Sequence, residues 1–185
     1  MKLTGQNEIA ASPEVVWQAL NDPEVLRQAM PGCESMEKIS DTAFKATIVT
    51  KIGPIKAKFN GEVELQDLDP PNGYKLVGSG SGGSVGNAKG AATVKLTPQS
   101  GGGTLLIYDV EAVVTGKLAQ LGARLINSTA KILAGKFFNS FEKIVSDRPS
   151  PKSSEGGGAL RWVLVGGSVL VLIGLITWWA LNRAV

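Results

Sequence analysis

The sequence lacks histidine altogether and contains a single cysteine, Cys33, among 185 residues. Without histidine the chain can form neither a Ser-His-Asp triad nor a histidine metal site, and it lacks the side chain that most often acts as a general base. A lone cysteine also excludes an internal disulfide and a metal site built from cysteines. Carboxylates, lysines and tyrosines remain available for chemistry, but these absences favour a protein that is not an enzyme.

Aromatic residues are few, 6% of the chain, and they do not alternate with arginine or lysine. The formal net charge is +3, and basic residues are interleaved with acidic ones, as in residues 45–64. We therefore expect no nucleic-acid partner, because such proteins need a basic surface or aromatic rings on which bases stack. Hydrophobic residues make up 43% and charged residues 19%, a balance typical of one packed domain with an appendage.

No charged residue occurs between Trp162 and Leu181. About 20 helical residues measure roughly 30 Å, the thickness of the hydrocarbon core of a bilayer. Tryptophans stand at both ends of the stretch, where indole rings prefer the membrane interfaces, and Arg161 and Arg183 flank it. This pattern predicts a transmembrane helix at 161–183. Its predicted anchor residues are Trp162, Leu170, Leu175, Trp178 and Trp179.

The start of the chain carries no apolar segment of a secretory signal, so we expect the rest of the protein in the cytoplasm. Residues 147–160 are rich in proline, glycine and serine, a composition typical of a flexible linker. The sequence thus predicts a domain at 1–146, a linker at 147–160 and the membrane span. The predicted location is the cytoplasmic membrane, crossed once, with the domain facing the cytoplasm and in contact with membrane lipid.

The domain begins with signals for two short helices at 12–21 and 22–30, each with a capping residue followed by proline and glutamate. Strict alternation of apolar and polar residues at 55–66 predicts a long, half-buried strand. Turn signals and alternation predict further strands at 42–52, 74–82, 87–97 and 104–116.

Beyond Gly116 the apolar period returns to 3.6 residues and predicts one long helix to about residue 145. Its apolar side is predicted to contain Leu118, Leu121, Leu125, Ile132, Phe137, Phe141 and Ile144. Lys117, Arg124 and Lys131 recur every seven residues on another side, which either faces solvent or contacts anionic headgroups. This order of elements predicts an α+β fold in which a sheet wraps around the final helix.

Small residues occupy the expected inner positions of two consecutive strands: Gly78, Gly80, Ala88, Gly90 and Ala92. The segment 78–83 also matches GxGxxG, but a strand rather than a helix follows it, so no dinucleotide site is predicted. Small inner side chains leave space in a core. That space either closes around larger neighbours or holds an apolar ligand, and the sequence leaves both possibilities open.

Several separate blocks of this sequence resemble the CoxG family, the G-subunit family of carbon monoxide dehydrogenase. They are GPIKAKFNG at 53–61, the glycine-rich strand pair ending at Gly90, TGKLAQLG at 115–122 and PGCE at 31–34. The resemblance implies the helix-grip fold of the START-like (SRPBCC) superfamily, a curved antiparallel sheet wrapped over a long C-terminal helix and often enclosing an apolar cavity. It also implies recruitment of a molybdenum-containing carbon monoxide dehydrogenase, or a related hydroxylase, to the membrane. It brings no catalytic motif.

We therefore predict a non-enzymatic adaptor that binds an isoprenoid quinone, menaquinone or ubiquinone, because electrons from the dehydrogenase must reach a quinone in the bilayer. The alternatives are an anchor or assembly factor without a ligand, and an enzyme, since some helix-grip domains catalyse cyclisations. The predicted cavity residues follow from inward alternation and from the final helix. They are Phe59, Val63, Leu76, Gly78, Ala92, Val94, Tyr108, Val110, Ala112, Leu121 and Leu125.

Overall fold

The computed structural model describes residues 1–147, so the linker beyond residue 147 and the predicted membrane span lie outside the described residues. Within residues 1–147, no helix is both long and apolar enough to cross a membrane. Seven strands form one antiparallel sheet in the order β1-β7-β6-β5-β4-β3-β2. The strands are β1 (Lys2–Ile9), β2 (Cys33–Lys38), β3 (Ala43–Ile52), β4 (Ile55–Asp69), β5 (Gly73–Ser81), β6 (Asn87–Pro98) and β7 (Thr104–Val114).

Two short helices connect β1 to β2, as the capping signals predict: α1 (Pro13–Leu20) and α2 (Pro23–Ala29). The carboxylate of Asp22 caps α2, because its Oδ1 accepts hydrogen bonds from the backbone N–H groups of Glu24 (2.9 Å) and Val25 (3.4 Å). Ser12 occupies the same position before α1, but its side chain makes no capping hydrogen bond.

The single long helix predicted after Gly116 is divided in the structure. Residues Gly116–Leu121 form a 3-10 helix, and Gly122 follows with φ of +83°, a left-handed conformation that an α-helix cannot contain. The long helix α3 (Ala123–Ser146) begins only after this interruption. The prediction that Leu118 and Leu121 share a helix with the residues after Gly122 is therefore wrong.

The face of α3 that packs on the sheet also differs from the prediction. Phe141 and Val145 are completely buried, as a core-facing side requires, whereas Ile132 is 59% exposed. Ile132 precedes Phe141 by nine positions, which places it about 180° away around the helix. The prediction that Ile132 lies on the apolar side is wrong. Ile126 and Leu133, each one position further along the chain than the predicted residues, face the sheet instead.

The two ends of the sheet differ in packing. At one end, here called the packed end, α1, α2 and the last turns of α3 join the strands in one hydrophobic core. This core contains Ile9, Ala11, Val15, Val16, Ala19, Leu20, Val25, Ala29, Phe44, Leu65, Tyr74, Leu96, Leu106, Phe141 and Val145. The opposite end, here called the open end, contains the β3–β4 turn at 53–54, the β5–β6 loop at 82–86 and the 3-10 helix.

Candidate functional site

A cavity of about 480 Å³ lies between α3 and the inner face of the sheet, on the side of the open end. It is partly open to solvent, and its volume falls within the range of small-molecule sites. Five strands, the end of α2, the 3-10 helix and α3 contribute to its wall. The lining residues are Leu3, Met30, Pro31, Ile48, Thr50, Ile52, Phe59, Ala88, Tyr108, Val110, Val114, Leu118, Ile126, Leu133, Ala134, Phe137 and Phe138.

The wall of this cavity is almost entirely apolar. Thr50 and Tyr108 contribute the hydroxyl groups, and no lining residue carries a charge. A charged ligand would lose its hydration here without gaining an oppositely charged partner, which costs free energy. The cavity is therefore suited to a lipophilic molecule with few polar atoms.

Strand alternation explains how the sequence builds two sides of this wall. On β3, Ile48 and Ile52 point inward while Lys51 is exposed, and on β7, Tyr108 and Val110 point inward while the residues between them face outward. Because side chains alternate between the two faces of a strand, one apolar-polar pattern produces both the cavity wall and the solvent-facing surface.

Four aromatic rings connect the cavity wall to the core. Tyr108 stacks on Phe138 with ring centroids 5.3 Å apart, and Phe138 meets Phe137 edge to face at 5.1 Å. Phe137 in turn stacks on the buried Phe141 at 5.6 Å. Such pairs add stability beyond their buried area, so the aromatic side of the cavity is held in place from the packed end.

The structure brings three of the eleven predicted cavity residues into the wall, namely Phe59, Tyr108 and Val110. The other eight lie outside the lining: Val63, Leu76, Gly78, Ala92, Val94, Ala112, Leu121 and Leu125. Three of these, Val63, Leu76 and Val94, lie on the same inner face but nearer the packed end, where they pack against the core. Alternation identifies the inner face of each strand, but not how far along the strand the cavity extends.

Most of the lining on α3 was not predicted from the sequence. The helix contributes Ile126, Leu133, Ala134, Phe137 and Phe138, whereas Leu125 was expected. One position corresponds to about 100° around an α-helix, so the restart of the helix after residue 122 changes which side chains reach the cavity. The side chain of Leu125 lies instead beside the β3–β4 turn.

Neighbouring side chains fill the space over some of the glycines on the inner face. A Cβ atom at Gly78 would lie 2.6 Å from Cγ1 of Val63, and one at Gly82 would lie 2.6 Å from Cε1 of Phe59. At these positions the interior has closed around larger neighbours. Of the small inner residues identified in the sequence, Ala88 is the one that lines the cavity.

Ionisable groups show no arrangement for catalysis in the part of the chain that the structure describes. Residues 1–147 contain no cluster of Cys, Asp or Glu that could hold a metal ion. Burial raises the pKa of the Cys33 thiol, so this thiol is protonated at neutral pH and is a weak nucleophile. Burial also raises the pKa of Tyr74 well above its usual range. Neither group lines the cavity, whose wall therefore offers shape and apolar surface.

The seven-stranded antiparallel sheet, the long C-terminal helix and the cavity between them define a START-like fold. Solved structures with this fold include a START superfamily protein from Mycobacterium smegmatis, 14% identical with a TM-score of 0.60, covering 78% of this chain and 97% of that chain. Another is the Zhui aromatase/cyclase from Streptomyces sp. R1128, 13% identical with a TM-score of 0.58, covering 79% and 94%. At such identities the likeness concerns the fold alone.

Within this fold, the chain belongs to the CoxG family, the G-subunit family of carbon monoxide dehydrogenase, whose sequence profile matches residues 5–146. The crystal structure of a conserved protein from Geobacillus kaustophilus is 34% identical with a TM-score of 0.74, and the match covers 79% of this chain and 95% of that chain. A comparison with curated proteins gave no match. The family resemblance seen in the sequence is confirmed.

Proposed function

We propose that this protein is a membrane-tethered adaptor that recruits a molybdenum-containing carbon monoxide dehydrogenase, or a related molybdenum hydroxylase, and binds a lipophilic quinone. Family membership supports the partner. The apolar, partly open cavity of about 480 Å³ is the observation that supports a lipophilic ligand. The uncharged stretch at 162–181 supports a tether to the membrane.

The chemistry of the wall suits an isoprenoid quinone in particular. The stacked rings of Tyr108 and Phe138 offer flat surfaces to a quinone ring, and the aliphatic side chains suit an isoprenoid tail. The hydroxyls of Thr50 and Tyr108 can donate hydrogen bonds to quinone carbonyl oxygens. The opening to solvent leaves a path for a tail longer than the cavity.

A quinone carrier would solve a problem of location. A soluble dehydrogenase releases electrons in the cytoplasm, whereas an isoprenoid quinone is confined to the bilayer by its tail. A tethered domain with an apolar cavity can shield the quinone from water and present it to the enzyme. In this role the domain binds and positions the quinone, while the dehydrogenase carries out the redox chemistry.

The proposal is tested by mass spectrometry of lipids extracted from the full chain purified in mild detergent. We expect bound menaquinone or ubiquinone in the unmodified protein and little in Ala134→Phe, because the larger side chain occupies the cavity. Ala123→Phe is the matched control, since Ala123 is exposed on the same helix and does not line the cavity. Absence of quinone from the unmodified protein would contradict the proposal.

The second candidate is a plain anchor or assembly factor, which the apolar stretch at 162–181 favours independently of any ligand. Deletion of residues 160–185 should release the dehydrogenase from membranes under both candidates. Ala134→Phe separates them, because a plain anchor predicts unchanged reduction of membrane quinone by the dehydrogenase. A carrier predicts that this variant loses quinone reduction while the dehydrogenase stays at the membrane.

A further inference from the structure

Charged residues are distributed unequally between the two ends of the domain. The open end, residues 51–56 together with 82–86 and 115–131, contains five basic residues and no acidic one. They are Lys51, Lys56, Lys117, Arg124 and Lys131, here called the cationic end. At the packed end, by contrast, the connections at 39–42 and 67–72 contain three acidic residues and no basic one.

Contacts within the fold bring the segments of the cationic end together. The β3–β4 register places Lys51 directly opposite Lys56. The turn between them lies against α3, since a Cβ atom at Gly53 would be 2.7 Å from Cδ2 of Leu125, the neighbour of Arg124 in sequence. The N–H of Thr115 donates to the carbonyl of Asn87 (2.8 Å), which fixes the start of the 3-10 helix beside the β5–β6 loop.

The positive charge of this end is not compensated within residues 1–147. None of its five basic side chains makes an ion pair with another described residue. Four other basic residues do, namely Lys2, Arg27, Lys45 and Lys58. Like charges directly opposite on neighbouring strands are destabilising, yet Lys51 and Lys56 occupy such positions. The cavity reaches the same end, because Ile52 and Leu118 line it.

We infer that the cationic end docks on the anionic surface of a phospholipid bilayer, so that the cavity faces the lipid. This inference deepens the proposed function and rests on it, since docking would serve the exchange of a lipophilic ligand with the membrane. A basic residue near an anionic bilayer raises the partition coefficient by about fivefold. Opposite charges at the two ends also orient the domain as it approaches such a surface.

The length of chain beyond the domain permits this orientation. Helix α3 has 24 residues, about 36 Å, and runs from the cationic end to the packed end, where the linker begins. Residues 148–160 can reach about 43 Å when fully extended. The linker can therefore span the domain while the cationic end touches the bilayer. Its root-mean-square span of about 20 Å is shorter, so docking is expected to be transient.

The test uses residues 1–147, because the Geobacillus chain, 95% of which is covered by this domain, is a folded protein in its crystal. Vesicles of phosphatidylcholine alone, or with phosphatidylglycerol, are sedimented with the domain at 0.1 M salt (about one Debye length of 10 Å). We expect binding to the anionic vesicles only. Lys51→Gln with Lys56→Gln should lower the partition coefficient by about 30-fold.

The control variant is Lys95→Gln with Lys143→Gln, which removes the same charge from exposed positions near the packed end. It should lower binding by less than about threefold, and thermal unfolding of both variants should match the unmodified domain. Equal losses from both pairs would overturn the inference, as would binding to neutral vesicles or to neither kind. Capture of the dehydrogenase through these lysines, without vesicle binding, would also overturn it.

Failure of this inference is distinguishable from failure of the proposed function. A full chain that carries quinone but whose domain ignores anionic vesicles leaves the quinone carrier standing and removes the docking surface. A domain that binds anionic vesicles through Lys51 and Lys56, in a protein that never contains quinone, leaves the docking surface standing and removes the carrier.

Discussion

Thr104 is completely buried, and its Oγ1 donates a hydrogen bond of 2.6 Å to the carbonyl of Ala11. This bond ties the segment after β1 to the start of β7. Thr104→Val keeps the shape of the side chain but leaves that carbonyl without its donor, so we expect a loss of about 1–3 kcal/mol in unfolding free energy. Urea denaturation measures it. Thr104→Ser keeps the donor and should lose less; an equal loss would assign the effect to the methyl group.

Gly5 on β1 is the register partner of Tyr108, whose ring lies over it. A Cβ atom at residue 5 would overlap the ring, so Gly5→Ala should push Tyr108 toward the cavity and cost about 1–3 kcal/mol. In a Tyr108→Ala background the obstacle is gone, and the same substitution should cost less than about 0.5 kcal/mol. A double-mutant cycle in urea measures the difference. Equal costs in both backgrounds would contradict this role for Gly5.

At the scale of elements, α3 offers a direct comparison between its buried and exposed faces. Phe141→Ala should cost about 3–5 kcal/mol because the ring is completely buried, whereas Ile132→Ala, at a 59% exposed position, should stay within about 0.5 kcal/mol. Urea denaturation of the two variants checks the observed helix register. A large loss from Ile132→Ala would support the register expected from the sequence.

The elements with the clearest period were predicted most accurately. Strict alternation predicted a strand at 55–66, and β4 spans Ile55–Asp69. By contrast β2, Cys33–Lys38, was not predicted, because CESMEK shows no clear apolar alternation and the strand lies at the edge of the sheet. The register of α3 was missed because a glycine can adopt both helical and left-handed conformations, and Gly122 adopts the latter.

At the scale of the whole molecule, the linker should limit access of the cationic end to the bilayer. Deleting residues 151–158 from the full chain leaves five linker residues, which reach only about 17 Å. The shortened protein should remain in the membrane fraction but take up less quinone from vesicles that contain it. Mass spectrometry of bound quinone per protein measures the uptake.

The control replaces residues 151–158 with a Gly-Ser sequence of the same length, which should restore uptake if reach is what matters. Unchanged uptake by the shortened protein would show that the domain loads its ligand without turning its cationic end to the bilayer.

Local patterns along the chain were sufficient to predict the two short helices, most of the strands and the family, because capping residues, alternation and motif blocks each depend on nearby residues. The position and extent of the cavity depended on long-range packing. Val63 and Phe59 share one alternating strand, yet Val63 packs against the core and Phe59 lines the cavity, because α1, α2 and the last turns of α3 fill the packed end but not the open end. The clustering of basic residues at that open end likewise appears only when distant turns meet.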